Sequence, residues 1–594
     1  MGIDTKYLSD WRHLDGSSAP PGSPDVVIGH VSDLHGQLGP AHQVYDDNPQ
    51  NRPPIDFGGE DRVVRPVRGL ATIVAKLDAL RASHETLVAM SGDTFHGTAE
   101  TTFSNGEVML DPINEHVRPD TYVPGNWDFG HEAAADGSAL ALFDALAAPT
   151  LANNLRDATG EQLYDGFRLF ERGGVTVGVV GMTNPYVDRM APAFHEGKYT
   201  FGKAPSLLAE TADAARESGA EIVVAVTEIG LPWTVQAAKD FSQIDVILSA
   251  HTHEYTFEPI LIEETGTVVV ESGVGEALGR VDVRVDEAGP AFRHVLYAFL
   301  EDHEYTPDPD RAARETIERV RAPFFEADPG KRRGPATLDR PLDTVLGRTE
   351  RALDRHSFLE SGWNTLFNDA LRAFFDADLA VAHGNRYGRA VPPGEITLGD
   401  VYTAYPVTPA VAAGDAWGQQ LTAHVESYLI DNFTPYVYDQ EDGRVRTVSS
   451  NVELTIDPTA KRGRRLVEML IDGAPVDPDE TYRVATYTRP GAPKRDLGGC
   501  GFPFREVETR AVAPAAVLAD YLATHSPVSP ETGTRVRTPE TGGWVQNTPS
   551  DGPYPFVQPG VDYADGTAYV ETAMVPRQFD HPAPGPAPDR RRNR

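Results

Sequence analysis

Five short apolar runs in this chain each end on a residue able to bind a metal, and that recurrence constrains the fold more than any other feature. Val26-Val27-Ile28-Gly29-His30-Val31-Ser32 leads into Asp33-Leu34-His35. Leu87-Val88-Ala89-Met90-Ser91 leads into Gly92-Asp93, and Thr121-Tyr122-Val123-Pro124 into Gly125-Asn126-Trp127-Asp128. Val223-Val224-Ala225-Val226-Thr227 leads into Glu228, and Val246-Ile247-Leu248-Ser249-Ala250 into His251-Thr252-His253. Residues i and i+2 of a strand point the same way, so Asp33 and His35 leave their strand end together. In an open α/β sheet, ligands gather beyond the carboxyl ends of the strands. Five such ends in sequence point to one shared site.

Imidazole mixed with carboxylate suits Mn, Fe, Co, Ni or Zn rather than Ca or Mg. Two ions about 3.5–4 Å apart need a bridging carboxylate, and Asp93 is best placed to be one. Taken singly, these residues read as surface or capping groups; Asp93 followed by Thr94 also fits a helix N-cap.

The rest of the chain reads as domains around this site. Residues 1–25 are polar with Pro and Gly and read as a loose leader. Residues 26–305 alternate Val/Ile-rich runs with amphipathic stretches, the pattern of an α/β domain. Further strands are expected at 175–182 and 267–271. Helices are expected at Leu70–Ala82, Ser138–Leu146, Ala204–Ser218 and Thr234–Phe241. The polar, Pro-rich segment 40–66 reads as a long inserted loop. Residues 306–345, with a helix near Arg311–Arg321, read as a linker. A second domain spans 346–540, with a helix at Asn364–Phe375 and strands at Leu379–Ala382, Asn451–Ile456 and Tyr482–Thr488. Residues 541–594 form a Pro/Gly-rich tail whose end is expected to be disordered.

Composition excludes several classes of function. With 594 residues the chain is long enough for two or more domains. Its formal net charge of -35 argues against nucleic acid as a partner. Acidic residues with abundant Arg and scarce Lys suggest a halophilic, cytoplasmic protein. Cys500 is the single cysteine, so an intramolecular disulfide and a cysteine-based zinc site are both ruled out. The first 25 residues lack a basic region followed by an apolar one, and no apolar run approaches the roughly 18 residues of a membrane span. No membrane contact is expected, and oligomeric state is not legible.

D-x-H, G-D, G-N-x-D and H-x-H, in that order, resemble the calcineurin-like metallophosphoesterases. The two-domain length resembles the 5′-nucleotidase family within them. In the second domain, Glu360-Ser361, Asn364 and Asp369-Ala370 resemble that family's E-S-x-x-N-x-x-x-D-A stretch. Gly384-Asn385-Arg386 with Pro393-Gly394-Glu395-Ile396-Thr397, and Tyr482-Arg483-Val484-Ala485-Thr486 with Gly498-Gly499-Cys500-Gly501-Phe502, resemble two more of its motifs. The resemblance covers about 26–530. It implies an α/β (α+β overall) fold, a four-layer αββα metallophosphoesterase sandwich followed by a smaller α/β 5′-nucleotidase C-terminal domain. It implies two divalent metal ions, Mn, Zn, Co or Fe. One would be held by Asp33, His35, Asp93 and His253, the other by Asp93, Asn126, His251 and Glu228.

Two departures carry information. The family has His where Trp127 stands, with the next carboxylate, here Asp128, orienting it over the leaving group. Trp cannot donate that proton. Trp127→His should therefore restore an acid already oriented by Asp128. The family also has His where Glu228 stands, and Glu favours a harder ion. Trp127 has a counterpart in the thiosulfohydrolases of sulfur oxidation. Gly92-Asp93-Thr94-Phe95-His96-Gly97, Ala152-Asn153-Asn154, Tyr199-Thr200-Phe201-Gly202 and Arg386-Tyr387-Gly388 also resemble stretches of that branch.

His96 is the substitute candidate for the acid. Arg386, beside Asn385, is the candidate clamp for phosphate or sulfonate, since a guanidinium fork meets such groups in a bidentate way. Tyr438, Tyr487 and Phe502 are candidates to stack a base. The expected activity is hydrolysis of a phosphate ester, a nucleotide first of all. The alternatives are thiosulfohydrolase-like cleavage of a cysteine S-sulfonate, and a binding protein with a degraded site.

Overall fold

Alternate residues of Val26–Ser32 face two different cores, and that alternation builds the first domain. Val26 and Ile28 pack with Leu87, Ala89 and Val123 against Val175, Val177, Val224, Val246 and Leu248 of a second sheet. Val27 and Val31 face the other way, onto Ile73, Val74 and Leu77 of the helix Leu70–Ser83. The second sheet repeats the device: Val180, Val223 and Ile247 turn outward onto Leu208, Ala212 and Val235 of the helices Ser206–Glu217 and Leu231–Asp240. Strands buried on both faces read as near-continuous apolar runs, which is what made them visible. The result is a four-layer αββα sandwich. The computed structural model describes residues 6–8, 10–14, 17–46, 62–133, 139–190, 197–256, 259–299, 301, 306–355, 360–384, 387–432, 438, 446–457, 460–461, 463–489, 495–533 and 535–537.

In the first sheet Val26–Ser32, Thr86–Gly92 and Thr121–Pro124 run parallel, with Ser32 level with Ser91 and Ser91 with Val123. In the second, Val175–Met182, Ile222–Thr227, Val246–Ser249 and Thr267–Glu271 run parallel, with Thr227 level with Ser249 and Ser249 with Glu271. This shared register brings the polar strand ends to one edge of the sandwich.

Several expectations need correction. Residues 1–25 are not a loose leader throughout. Lys6–Leu8 and Arg12–His13 pair with Gly289–Ala298, and Trp11 is buried under the guanidinium groups of Arg284 and Arg293. The inserted segment 40–66 holds an antiparallel pair, Ala41–Asp46 with Arg62–Val67. The hairpin Ala277–Asp286 with Gly289–Ala298 went unread, since alternating Arg and Asp mask its strands. The linker 306–345 is folded onto the first domain. The helix Arg311–Arg321 is capped by Asp310 and buries Ala313 and Ile317, while Arg321 pairs with Glu100 at 2.9 Å. The helix read at 234–241 starts at Leu231, with Pro232 in its first turn, where a missing N–H costs nothing.

The second domain centres on a five-stranded sheet in the order Thr447–Val448, Leu379–Ala382, Thr481–Tyr487, Val411–Trp417, Arg505–Arg510. The helix Gly362–Phe375, capped by Ser361, covers it through Trp363, Phe367 and Leu371. The core beside Val27 runs unbroken into Trp363 and Phe367, so the two domains are packed together. The tail 541–594 lies outside the described residues. Among those described, no helix is long and apolar enough to cross a membrane.

Candidate metal centre

The two H-containing motifs are set by unusual backbone. Asp33, His35, His251 and His253 have φ of 47, 44, 88 and 64°. Non-glycine residues seldom adopt this left-handed region, and strain of this kind collects at functional sites. The turn after Ser32 is fixed by Asp33 N–H to Ser91 O at 3.0 Å and His35 N–H to Asp93 O at 2.7 Å. Gly92 must be glycine: its φ is 82°, and a Cβ there would lie 2.5 Å from Asp33 Oδ1 and 2.9 Å from Glu228 Oε2. A Cβ on Gly125 would lie 2.3 Å from Asp93 Oδ1.

Five of the seven ligand candidates fall in two overlapping groups, and His251 and Asn126 stand beside the second. Donor atoms of Asp33, His35 and His253 lie within 4.8 Å of one another, and so do those of Asp33, Asp93 and Glu228. His35 Nε2 and His253 Nε2 stand 3.0 Å apart, His253 Nε2 is 3.5 Å from Asp33 Oδ1, and His35 Nε2 is 3.8 Å from Asp93 Oδ2. His251 Nδ1 is 2.9 Å from Asn126 Oδ1 and 3.4 Å from Glu228 Oε1. Asp33 is thus the carboxylate common to both groups, the place expected of Asp93.

This donor set fits a pair of divalent cations. Glu228 is fully buried, and neither carboxylate oxygen has a hydrogen-bond partner among the described residues. Burial, then the nearby Asp33 and Asp93 carboxylates, push its carboxyl well above the ordinary range. A buried charge requires a partner, and a cation among these oxygens supplies it.

Asp128 is not available to orient a group at position 127. Its carboxylate accepts the N–H groups of Thr94 at 2.9 Å, Phe95 at 2.8 Å and Gly125 at 3.0 Å, and the hydroxyl of Tyr122. It knots the loops after two strands. A histidine at 127 would find its expected partner engaged, so Trp127→His should bring no oriented acid and no gain in turnover. Asp128→Ala would leave these buried donors unsatisfied at roughly 1–3 kcal/mol each. Urea unfolding should show a loss of at least about 3 kcal/mol; a loss below about 1 kcal/mol would mean that the knot is not needed.

Trp127 donates its backbone N–H to Asp93 Oδ1 at 2.6 Å, and its ring stacks on His96 at 4.8 Å and 10°. His96 therefore does stand beside the centre. Burial first, then His131 and His35, hold its imidazole well below the usual range, in the neutral form.

The group that sequence reasoning missed is Tyr387 of the second domain. Its ring stacks on His35 at 4.6 Å, and its hydroxyl is 3.0 Å from His96 Nε2. Behind it, Arg355 is 1% exposed, its guanidinium 5.6 Å from the Tyr387 ring centre and 4.4 Å from that of Tyr405. Arg355 donates to Ala404 O, while Nε and Nη2 lack a hydrogen-bond partner among the described residues. Arg386 and Asn385 lie outside the described residues.

Two of the base-stacking candidates, Tyr438 and Phe502, are engaged in packing. The Tyr438 hydroxyl donates to Asp240 at 2.5 Å, its ring meets Trp233 edge-on at 4.5 Å, and Tyr186 donates to its carbonyl. That corrects Tyr438 from a substrate contact to a tie between the domains. Phe502 packs on Phe504 at 4.7 Å and lies 6.2 Å from the His424 ring, at the margin of the second domain's own core. Tyr487 accepts the N–H of His383 at 3.1 Å.

Glu271 was also missed, although it too ends an apolar run, Thr267-Val268-Val269-Val270. It accepts the hydroxyls of Ser249 at 2.7 Å and Thr252 at 2.6 Å and the N–H of Glu254 at 2.9 Å, clamping the loop that carries His251 and His253. Glu271→Gln keeps the shape but turns one acceptor into a donor. Partners of this kind are worth about 10–100-fold in metal affinity. Calorimetric titration with Mn²⁺ should show a loss of about that size; unchanged affinity would mean that Glu271 serves packing alone.

Residues 26–255 match the calcineurin-like phosphoesterase family, and residues 339–489 match the 5′-nucleotidase C-terminal domain. Protein UshA of Yersinia enterocolitica is 22% identical over 77% of this chain and 88% of its own length. Among solved structures, sulfate thiohydrolase SoxB of Thermus thermophilus has a TM-score of 0.74 at 24% identity, over 90% of this chain and all (100%) of that one. A 5′-nucleotidase precursor, also of Thermus thermophilus, has a TM-score of 0.69 at 18% identity, over 87% of this chain and 99% of that one. At these identities the structural likeness speaks to fold.

Proposed function

The chain belongs to the calcineurin-like phosphoesterases that carry a 5′-nucleotidase C-terminal domain, and on that premise we propose that it releases phosphate from nucleotides. It is a hydrolase that depends on two divalent metal ions. The observation that carries the substrate reading is the meeting of the two domains at the centre. Tyr387 lies on His35, with Arg355 behind it, so a phosphate ester at the metals is met by second-domain groups.

When bound, the ions supply Lewis acidity toward the phosphoryl group and acidify an attacking water. Asp33, Asp93 and Glu228 provide the negative charge that holds them, and His35, His251, His253 and Asn126 complete the donor set. Arg355, with Arg386, takes the non-bridging oxygens, whose charge grows in the transition state. Trp127 walls the leaving-group side. His96, kept neutral and tied to the Tyr387 hydroxyl, can offer a hydrogen bond there rather than a full proton.

A screen of AMP, ADP, a cyclic nucleotide and p-nitrophenyl phosphate tests this with metal-loaded protein in molar KCl. The acidic, Lys-poor composition supports a high-salt cytoplasm as its setting. Turnover of a nucleotide is expected, and inertness toward all four would sink the reading.

Trp127 favours a second reading. A thiolate with a pKa of about 8.5 leaves without a donated proton, so a wall of Trp in place of an acid suits cleavage of a cysteine S-sulfonate. The fold likeness to sulfate thiohydrolase SoxB is in keeping with it. Sulfate release from an S-sulfonated peptide, with nucleotides inert, would transfer the assignment.

A further inference from the structure

The two donor groups that share Asp33 differ in chemistry. One sets Asp33 beside two imidazoles, those of His35 and His253; the other sets it beside two carboxylates, those of Asp93 and Glu228. Glu228 is the residue that makes the difference. It is fully buried, its two oxygens make no hydrogen bond among the described residues, and the Cβ-free Gly92 lets Oε2 lie close to Asp33. Beside the carboxylate group stand Asn126 Oδ1 and His251 Nδ1, 2.9 Å from each other, with His251 Nδ1 3.4 Å from Glu228 Oε1. Among the described residues, that side of the centre thus offers several oxygens and the one nitrogen of His251. The other side offers two nitrogens with Asp33 and, 3.8 Å from His35, Asp93 Oδ2.

Imidazole-rich sites suit Zn, Fe, Co and Ni, whereas carboxylate and carbonyl oxygens suit Mg and Mn. Zinc settles readily among four nitrogen and oxygen donors, while Mg and its like prefer six oxygens and keep some of their water. We infer that the centre is built for two different ions: a borderline ion such as Zn²⁺ or Fe²⁺ between His35 and His253, and a hard ion, Mn²⁺ or Mg²⁺, against Glu228. Glu228 is then the specificity-determining ligand of the second position. This inference rests on the dinuclear reading of the site and not on any substrate.

The test uses the full chain, stripped by chelator, loaded with two equivalents of Mn²⁺ and titrated with Zn²⁺. Released Mn²⁺ is read from its paramagnetic resonance signal in solution. One Mn²⁺ per chain should leave with the first equivalent of Zn²⁺. The other should be retained until Zn²⁺ is in at least about tenfold excess. In Glu228→His both should leave within about two equivalents. Joint release of both ions from the wild-type protein, or a Glu228→His titration identical to wild type, would overturn the inference. If Glu228→His does not fold, Glu228→Gln preserves the shape and removes the charge. It should retain about one Mn²⁺ per chain, and two tightly held ions would again overturn the inference. No substrate enters, so a protein inert toward every ester can still pass this test, and an active one can fail it.

Discussion

Asp93→Asn is expected to lower turnover on the order of 10³-fold, about 4 kcal/mol of transition-state stabilisation. Asp93 belongs with Asp33 and Glu228 through its carboxylate, and its Oδ2 also faces His35 at 3.8 Å. Asparagine retains an oxygen to accept the Trp127 N–H, which Asp93 Oδ1 takes at 2.6 Å, so the loop should survive. It removes the negative charge between the two donor groups. Metal content should fall below two ions per chain while the melting temperature of the metal-free protein stays within a few degrees. Steady-state kinetics with a nucleoside monophosphate, beside metal analysis, checks both. Activity within tenfold of wild type would show that Asp33 alone can bridge.

Arg355→Ala should cost about 10²–10³-fold in kcat/KM, the usual loss when one donor to a developing oxyanion is removed. The side chain is 1% exposed, and its position against Tyr387 and Tyr405 is held by two aromatic faces. Nε and Nη2 lack a hydrogen-bond partner among the described residues, an expensive state for a buried cation unless an anion completes it. Arg355→Lys keeps the charge but not the fork, so it should recover only part of the loss. Loss of stability with kcat/KM unchanged would make Arg355 a structural residue.

The fold was legible because the chemistry of burial is written locally. Strands covered on both faces are continuous Val/Ile runs, and the residue ending each run is free to be polar. That rule found Asp33, Asp93, Asn126, Glu228 and His251. Applied to Thr267–Glu271 it would also have found Glu271. Tyr387 stands in sequence beside the charged Arg386, and nothing local says that its ring lies on His35, some 350 positions away. Asp128 misled for a related reason. Its spacing from Trp127 suggested an orienting partner, whereas the N–H groups of Thr94 and Phe95 reach it from another strand end. The hairpin over 277–298 is masked in sequence because its charges satisfy one another: Asp282 is buried and pairs with Arg280 along its own strand and with Arg293 across the hairpin.

The most direct test of the account is turnover against metal bound. The chelator-stripped chain is reloaded with Mn²⁺ in steps, and AMP hydrolysis is measured at each known ratio of ion to chain. Activity should be absent from the stripped protein, stay near background up to one ion per chain, and rise as the second ion binds. Full turnover in the stripped protein, or a plateau reached at one ion per chain, would contradict a two-metal hydrolase built on Asp33, Asp93 and Glu228.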